Sequence, residues 1–285
     1  MPAATIDRML RQADLPTLPE MYFELGDVIN DPHSSASSSA AAISAIISKE
    51  PALAARLLDI ANSVMFRFPA RIDSISAAVH AIGMAQIHDL ALSVMAMEML
   101  EDIDPEIVSA ESYWHHSIAC AIAARTLAAY RHESNIERFF AAGLLHDTGS
   151  LLFYGQIPEQ ALMAVLHGRD GDGPLHELEQ AVAGFNHAQL GGALLKAWRL
   201  PQALEQAVAL HHAPELAMDY PVEAAVVHVA DIIINAMEIG SRGEYVVPPL
   251  VPVAWERIGL PADVLQSVME QVDRQFVDMV NTFYV

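Results

Sequence analysis

The segment AGLLHDTGSLLF, residues 142–153, places His146 and Asp147 side by side within an apolar run. An imidazole and a carboxylate in these positions can ligate a metal ion, and they can also hydrogen-bond to each other at the end of a helix. A further alternative is that Asp147 caps the next helical turn through backbone N–H groups. The choice depends on which other polar residues interrupt the apolar parts of the chain.

Histidines are unusually frequent, with 13 against 15 lysines and arginines combined. Together with aspartates they interrupt apolar helical patterns in five groups: His115 with His116, His146 with Asp147, His187, His211 with His212, and His228 with Asp231. Groups on different helices can converge in the core of a helical bundle, which is how metal sites of all-α proteins are built. Imidazoles combined with carboxylates favour Fe, Mn, Zn, Ni or Co over Ca. The pattern therefore predicts a site for one or two transition-metal ions, and water bound there would be a nucleophile for phosphoester hydrolysis.

Single histidines on apolar faces are more often core residues that hydrogen-bond to the backbone. This is the expectation for His80, His88, His132, His167, His176 and His228. In the pair His115–His116 at most one side chain faces inward, because neighbours on a helix point about 100° apart. We favour His116, which lies four residues before Cys120 on the face of small apolar residues, and His115 stays the alternative.

The elements that carry these residues are predicted to be helices throughout. Apolar residues recur at three- and four-residue spacing, and alternating strand patterns are scarce, so the fold class is all-α. The serine- and alanine-rich stretch after residue 33 has its isoleucines on one face, and Pro51 begins a new helix. Further helices are predicted at residues 75–81, 85–100, 112–130, 136–145, 159–166, 175–182, 188–198, 201–210, 222–237 and 262 to about 283. The acidic segment 101–106 is a candidate boundary, and 240–253 is a proline-rich crossing.

Composition excludes several classes of partner. The net charge is -21 and the chain has two lysines, so direct binding of nucleic acid is not expected. No apolar run reaches membrane-spanning length, and no secretion signal is visible at the N-terminus. The single cysteine, Cys120, is most simply a small buried side chain. We therefore expect a cytoplasmic protein without membrane contact.

Several motifs follow one another in a fixed order: LPTLPEMYFELGDVINDP, EPALAARLLDIANSVMF, AGLLHDTGSLLF, GFNHAQLGGALLKAWRLP, AVALHHAPE and VVHVADII. Together they resemble the HDOD family, the HD-related output domain of bacterial signalling proteins, over roughly residues 15–234. The resemblance implies a multi-helix bundle with an N-terminal helical lobe at 1–105 and an HD-like lobe at 106–240. Residues 241–285 would form the crossing and a C-terminal helix that packs back on the body.

The parent HD superfamily consists of metal-dependent phosphohydrolases with a fixed order of ligands. Carried over by position, this order implies the metal ligands His116 (or His115), His146, Asp147, His187, His211, His212 and Asp231. In a dinuclear site Asp147 would bridge the two ions. His116, His146 and Asp231 would complete one coordination shell, and the remaining histidines the other.

Two departures from the active relatives weigh against catalysis. HD-GYP phosphodiesterases carry a lysine three residues after the dyad aspartate, where this chain has Ser150, and their GYP stretch is replaced by APELAMDYP. A phosphate-binding cation is thus expected to be missing. The resemblance therefore implies a regulatory output module that acts by protein–protein interaction with other signalling proteins. The alternative is an HD-type phosphohydrolase or phosphodiesterase acting on a nucleotide or cyclic dinucleotide, with Asp147 as a catalytic residue.

Overall fold

The computed structural model describes residues 2–12, 17–33, 35–100 and 107–284. These residues form α-helices and a 3-10 turn at Pro214–Leu216, with no strand among them, so the all-α prediction is confirmed. The α-helices are α1 Pro2–Gln12, α2 Glu20–Asn30, α3 Ala36–Ile47, α4 Pro51–Asn62, α5 Ile75–Ile82, α6 Met84–Met99, α7 Ala110–Tyr130, α8 Ile136–Leu145, α9 Thr148–Gln156, α10 Pro158–Arg169, α11 Leu175–Ala183, α12 His187–Ala197, α13 Gln202–Ala209, α14 Pro221–Ala236, α15 Pro252–Ile258 and α16 Val264–Tyr284.

Local sequence explains why the serine-rich segment is helical. The Ser35 side chain accepts a hydrogen bond from the Ser38 backbone N–H at 3.2 Å and so caps α3. Ile43 and Ile47 on the same helix are fully or almost fully buried. Burial of one face outweighs the low helix propensity of serine, since packing supplies most of the stability of helices in proteins.

Helix α9, directly after the His146–Asp147 pair, is absent from the helices predicted above. Its sequence TGSLLFYGQ contains two glycines, and each lowers helix stability by about 1 kcal/mol relative to alanine. Packing against α12 and α10 stabilises the helix in spite of this composition. Tertiary contacts therefore override local propensity at the point where the chain leaves the candidate site.

Helix α7 is central, packing against α8, α14 and α16. Its residues 118–124 are fully buried and mostly small, so neighbouring helices can approach it on several sides. Helix α8 approaches it closely at Gly143, where an added Cβ would lie 2.7 Å from the Cys120 carbonyl oxygen. This contact brings the end of α8, and with it His146, next to α7.

The N-terminal helices share their core with the rest of the chain. Most buried apolar residues from Ile6 to Phe283 form one continuous cluster, and Ala164, Val165 and Leu175 form a second, small one. Helix α6 packs against α8, where the Asn135 side chain donates a hydrogen bond to Asp89 Oδ2 at 2.7 Å. Helix α16 packs against α7 and α4. The predicted boundary at 101–106 lies outside the described residues, and the division into 1–105, 106–240 and 241–285 stays a prediction.

Among the described residues no single helix has the length and apolar composition to cross a membrane; the pair Ile75–Ile82 and Met84–Met99 meets the criterion only jointly and is bent by 117°.

Gly149 sets the distance between α9 and α12. A Cβ at this position would lie 1.9 Å from the His187 carbonyl oxygen and 2.4 Å from the Gly191 backbone nitrogen. Only glycine therefore allows the two backbones to touch. Since His187 is the first residue of α12 and Asp147 immediately precedes α9, this contact joins two parts of the candidate site.

We predict that Gly149→Ala lowers the free energy of unfolding by about 1–3 kcal/mol or more, because the methyl group forces two backbones apart. The matched control is Gly155→Ala on the same helix, where an added Cβ meets nothing within 4 Å. That variant should be neutral or stabilised by about 0.5–1 kcal/mol. Urea unfolding of both variants measures the difference, and equal stabilities would contradict the close-packing role of Gly149.

Candidate metal centre

All seven predicted metal ligands lie in one cluster. His116 is on α7, His146 and Asp147 connect α8 to α9, and Asp231 is on α14. His187 begins α12, and the pair His211–His212 follows α13. We call His116, His146 and Asp231 the Asp231 group, and His187, His211 and His212 the His212 group.

Asp147 lies between the two groups and directs one carboxylate oxygen at each. Its Oδ2 is 3.1 Å from His146 Nε2 and 3.6 Å from His116 Nε2. Its Oδ1 is 3.4 Å from His187 Nε2 and 3.8 Å from His211 Nε2. This arrangement suits a carboxylate that bridges two cations, which is the role that the family resemblance implies for Asp147.

Within each group the donor atoms face one another. His116 Nε2 is 3.1 Å and His146 Nε2 is 3.6 Å from Asp231 Oδ1. In the His212 group, Nε2 of His187 is 2.9 Å from Nε2 of His212 and 3.4 Å from Nε2 of His211. Imidazole lone pairs at such distances repel one another unless a proton or a cation lies near them.

Hydrogen bonds to the opposite ring nitrogens fix the orientation of three imidazoles. Nδ1 of His146 and Nδ1 of His211 each donate to the carbonyl oxygen three residues earlier, at 2.7 Å. Nδ1 of His187 is 2.5 Å from Glu179 Oε2, which also accepts from the His187 backbone N–H at 2.8 Å. With Nδ1 engaged in this way, the Nε2 lone pair is directed into the cluster, as in metal-binding histidines.

The charges of the cluster shift pKa values in opposite directions. Burial lowers the pKa of His146, but the carboxylates of Asp147 and Asp231 outweigh this and raise that pKa to about 10. Burial, assisted by the charge of His146, lowers the pKa of His211 to about 3. Burial raises the pKa of Asp147, but Arg242 and then His146 outweigh it and hold that pKa well below its usual range. The two aspartates therefore favour a positive charge in the space that Nε2 of His146 faces.

The Asp231 group fits a transition-metal ion. Nε2 of His146, Oδ2 of Asp147 and Oδ2 of Asp231 are buried and satisfy no hydrogen-bond geometry among the described residues. Buried polar atoms in this state call for an ion or a bound molecule. Ligand atoms of His116, Cys120, His146 and Asp231 all lie within 4.8 Å of one another, and nitrogen, sulfur and oxygen donors together suit a transition metal.

Cys120 and Arg242 belong to the cluster but not to the ligands predicted from sequence. Cys120 Sγ is 3.5 Å from His116 Nε2. His116 and Cys120 lie four residues apart on one helix, and this spacing could have indicated a shared metal site, although it also fits a core cysteine. Arg242 lies in the segment after α14 and no local pattern marks it, so only the tertiary structure identifies it.

The sequence predicts no phosphate-binding cation at position 150, and the cation that the centre contains, Arg242, comes from another part of the chain. Ser150, at the position of the expected lysine, is fully buried. Arg242 reaches the cluster from a distant segment, and its Nε is 2.6 Å from Asp147 Oδ2. Its side chain is also fully buried, so it is not displayed to a ligand in solution.

The structure decides between the alternatives that the sequence leaves open for the histidine pair of α7, for Asp147 and for His228. His116 is 1% exposed and faces the cluster, whereas His115 is partly exposed and lies 3.9 Å from the Glu111 carboxylate. Asp147 precedes α9 but its side chain makes no capping hydrogen bond, so the capping alternative is wrong. His228 hydrogen-bonds to backbone with both ring nitrogens, to the His211 carbonyl at 2.6 Å and from the Val251 N–H at 2.9 Å, as expected of a core histidine.

A family model, the HDOD domain, matches residues 15–214. The chain belongs to the HDOD family. An uncharacterized protein of Treponema pallidum (strain Nichols) is 30% identical over 200 residues, which cover 70% of this HDOD chain and 38% of that relative. The chain therefore spans less than half the length of the curated relative that it matches.

Solved structures share the HDOD fold along nearly the whole chain. An HDOD domain protein of Geobacter sulfurreducens has a TM-score of 0.76 at 22% identity, covering 98% of this chain and 96% of that one. A candidate phosphohydrolase of Shewanella amazonensis SB2B has a TM-score of 0.72 at 23% identity, covering 96% and 97%. A candidate signal transduction protein of Marinobacter aquaeolei VT8 has a TM-score of 0.71 at 19% identity, covering 95% and 60%. At these identities the likeness concerns the fold.

We predict that His116→Ala lowers metal affinity more than about 100-fold, because loss even of a residue that only orients a ligand costs about 10- to 100-fold. His115→Ala, at the adjacent position of α7, should bind metal as the unaltered chain does. Titration of the metal-free proteins with Zn²⁺ or Co²⁺ in a calorimeter measures both affinities. Equal losses in the two variants would argue against His116 as a ligand.

Proposed function

We propose that this HDOD domain is a regulatory output module of bacterial signalling that acts by protein–protein interaction and retains a closed metal centre as part of its core. A metal ion bound there would hold together helices from distant parts of the chain. Metal binding of this kind contributes directly to folding free energy. The centre would then stabilise the surfaces that the module presents to its partners.

The observation that carries this proposal is the burial of the ligand cluster. Six of the seven predicted ligands are at most 1% exposed, namely His116, His146, Asp147, His187, His211 and Asp231. A catalytic metal needs an open coordination position that substrate reaches from a pocket, whereas a structural metal can be sealed. The sealed cluster therefore favours the structural role.

The completeness of the ligand set favours one second candidate function, a metal-dependent HD-type phosphohydrolase. A bound metal ion would supply an activated water for attack on a phosphoester. The chain itself would contribute Asp147, with one carboxylate oxygen facing each ligand group. It would also contribute the histidines, which Glu179 and backbone carbonyl oxygens orient. This function requires the buried centre to open to a substrate.

An apolar groove supports the interaction part of the proposal. It has a volume of about 410 Å³ and is lined by α14, by α15 with the segment before it, and by the start of α16. The lining residues include Ile232, Leu250 and Met269. Helix α14 also carries Asp231 on its inner side. A metal ligand and an exposed apolar surface thus share one helix, so metal binding would fix the shape of the groove.

Metal analysis combined with turnover assays tests the two candidate functions. We expect protein purified without added metal or chelator to contain a transition metal, and His146→Ala and Asp147→Ala to lose it. Removal of the metal by a chelator should lower the melting temperature of the unaltered chain. No turnover of cyclic dinucleotides or simple phosphodiesters is expected. Metal-dependent turnover that disappears in Asp147→Ala would instead establish the hydrolase.

The interaction surface has its own prediction. The double variant Leu250→Asp with Met269→Asp should lose partner proteins that the unaltered chain retains in a pull-down from the cells that encode it. The control Met218→Asp changes a methionine that is 80% exposed and lies outside the groove, and it should retain them. Retention by all three proteins would exclude the groove as the docking surface.

A further inference from the structure

Arg242 is the largest fully buried side chain among the described residues, and it lies inside the candidate metal centre. A buried guanidinium is stable only when acceptors surround it, because its charge loses the solvation of water. The backbone carbonyl oxygen of Arg242 accepts a hydrogen bond from the Tyr154 hydroxyl. This bond holds the segment after α14 against α9. Both a backbone contact and side-chain contacts therefore hold Arg242 in place.

The guanidinium faces the bridging carboxylate and the His212 group. Its Nε forms an ion pair with Asp147 Oδ2 at 2.6 Å, and its Nη2 is 3.2 Å from His212 Nε2. Glu244 Oε2 lies 3.7 Å from the same Nη2. Glu244 is itself held in place because its carboxylate accepts from the Leu175 backbone N–H at 3.0 Å.

Of these contacts, the one with Nε2 of His212 places a cation on a donor atom that a second metal ion would need. An arginine carries only donors and stays protonated in proteins, so His212 Nε2 can face it only as an acceptor. The lone pair that would bind a metal ion is then directed at an N–H group. A divalent ion bound by the same nitrogen would also lie beside a permanent positive charge, with little solvent to screen the repulsion.

We propose that the guanidinium of Arg242 takes the place of the second metal ion, so that the chain binds one ion, at His116, Cys120, His146 and Asp231. This inference rests on the metal centre of the proposed function and specifies its occupancy. The ligand set of a dinuclear hydrolase is then present in the sequence, while one of its two cations is built into the chain. Cys120 completes four protein donors around the single ion, which is the composition of a closed site.

Metal stoichiometry of purified variants, supplied with excess Zn²⁺ and then desalted, tests the proposal. The unaltered chain should hold one ion per chain, and His212→Ala should leave that number unchanged. Arg242→Gln, which removes the charge, should hold two ions. Adding His212→Ala to Arg242→Gln should return the number to one, and Arg242→Lys, which keeps a positive charge, should stay at one.

A second measurement avoids dependence on the folding of Arg242 variants. The unaltered chain loaded with Mn²⁺ should show the electron paramagnetic resonance spectrum of an isolated ion. An exchange-coupled spectrum, or two tightly held ions in the unaltered chain, would overturn the role of Arg242 while leaving the metal centre intact. Absence of any metal from every variant would overturn both the centre and this inference.

Discussion

The buried carboxylate of Asp147 is the constraint around which this structure is organised. An ionised group that is fully shielded from water is stable only when cations or donors compensate its charge. Here the compensation comes from two helices, α7 and α12, and from three segments outside helices. Imidazoles of both ligand groups lie within 4 Å of its oxygens, and Arg242 pairs with Oδ2. Segments that are far apart in the chain must therefore fold together around the carboxylate of Asp147.

Convergence on this carboxylate requires helices to pack more closely than ordinary side chains allow. Gly143 permits α8 to touch α7, and Gly149 permits α9 to touch the first turn of α12. The first contact places His146 beside His116, and the second places His187 beside Asp147. Small residues are therefore as necessary to the centre as the ligands, although they contribute no donor atom.

The balance between a metal enzyme and a structural centre depends on access and charge more than on ligand identity. All ligand types of an HD-type site are present, yet the cluster is sealed and contains its own permanent cation. Under the proposed function, such a centre would stabilise the apolar groove, whose helix α14 carries Asp231. HDOD membership, shown by the match over residues 15–214, agrees with a role in signalling at the level of the family.

The sequence by itself determined the all-α class, most of the helices, the family and the set of candidate ligands, because helical periodicity and the order of short motifs are local properties. It did not predict α1, α2, α9 and α15. In α9, two glycines disfavour a helix until packing stabilises it. Which atoms meet was decided only by the tertiary structure: Arg242 and Cys120 enter the cluster, and His116 faces it while His115 does not. Burial, pairing of charges and the closure of the centre depend on contacts between residues far apart in the chain, and no local pattern records them.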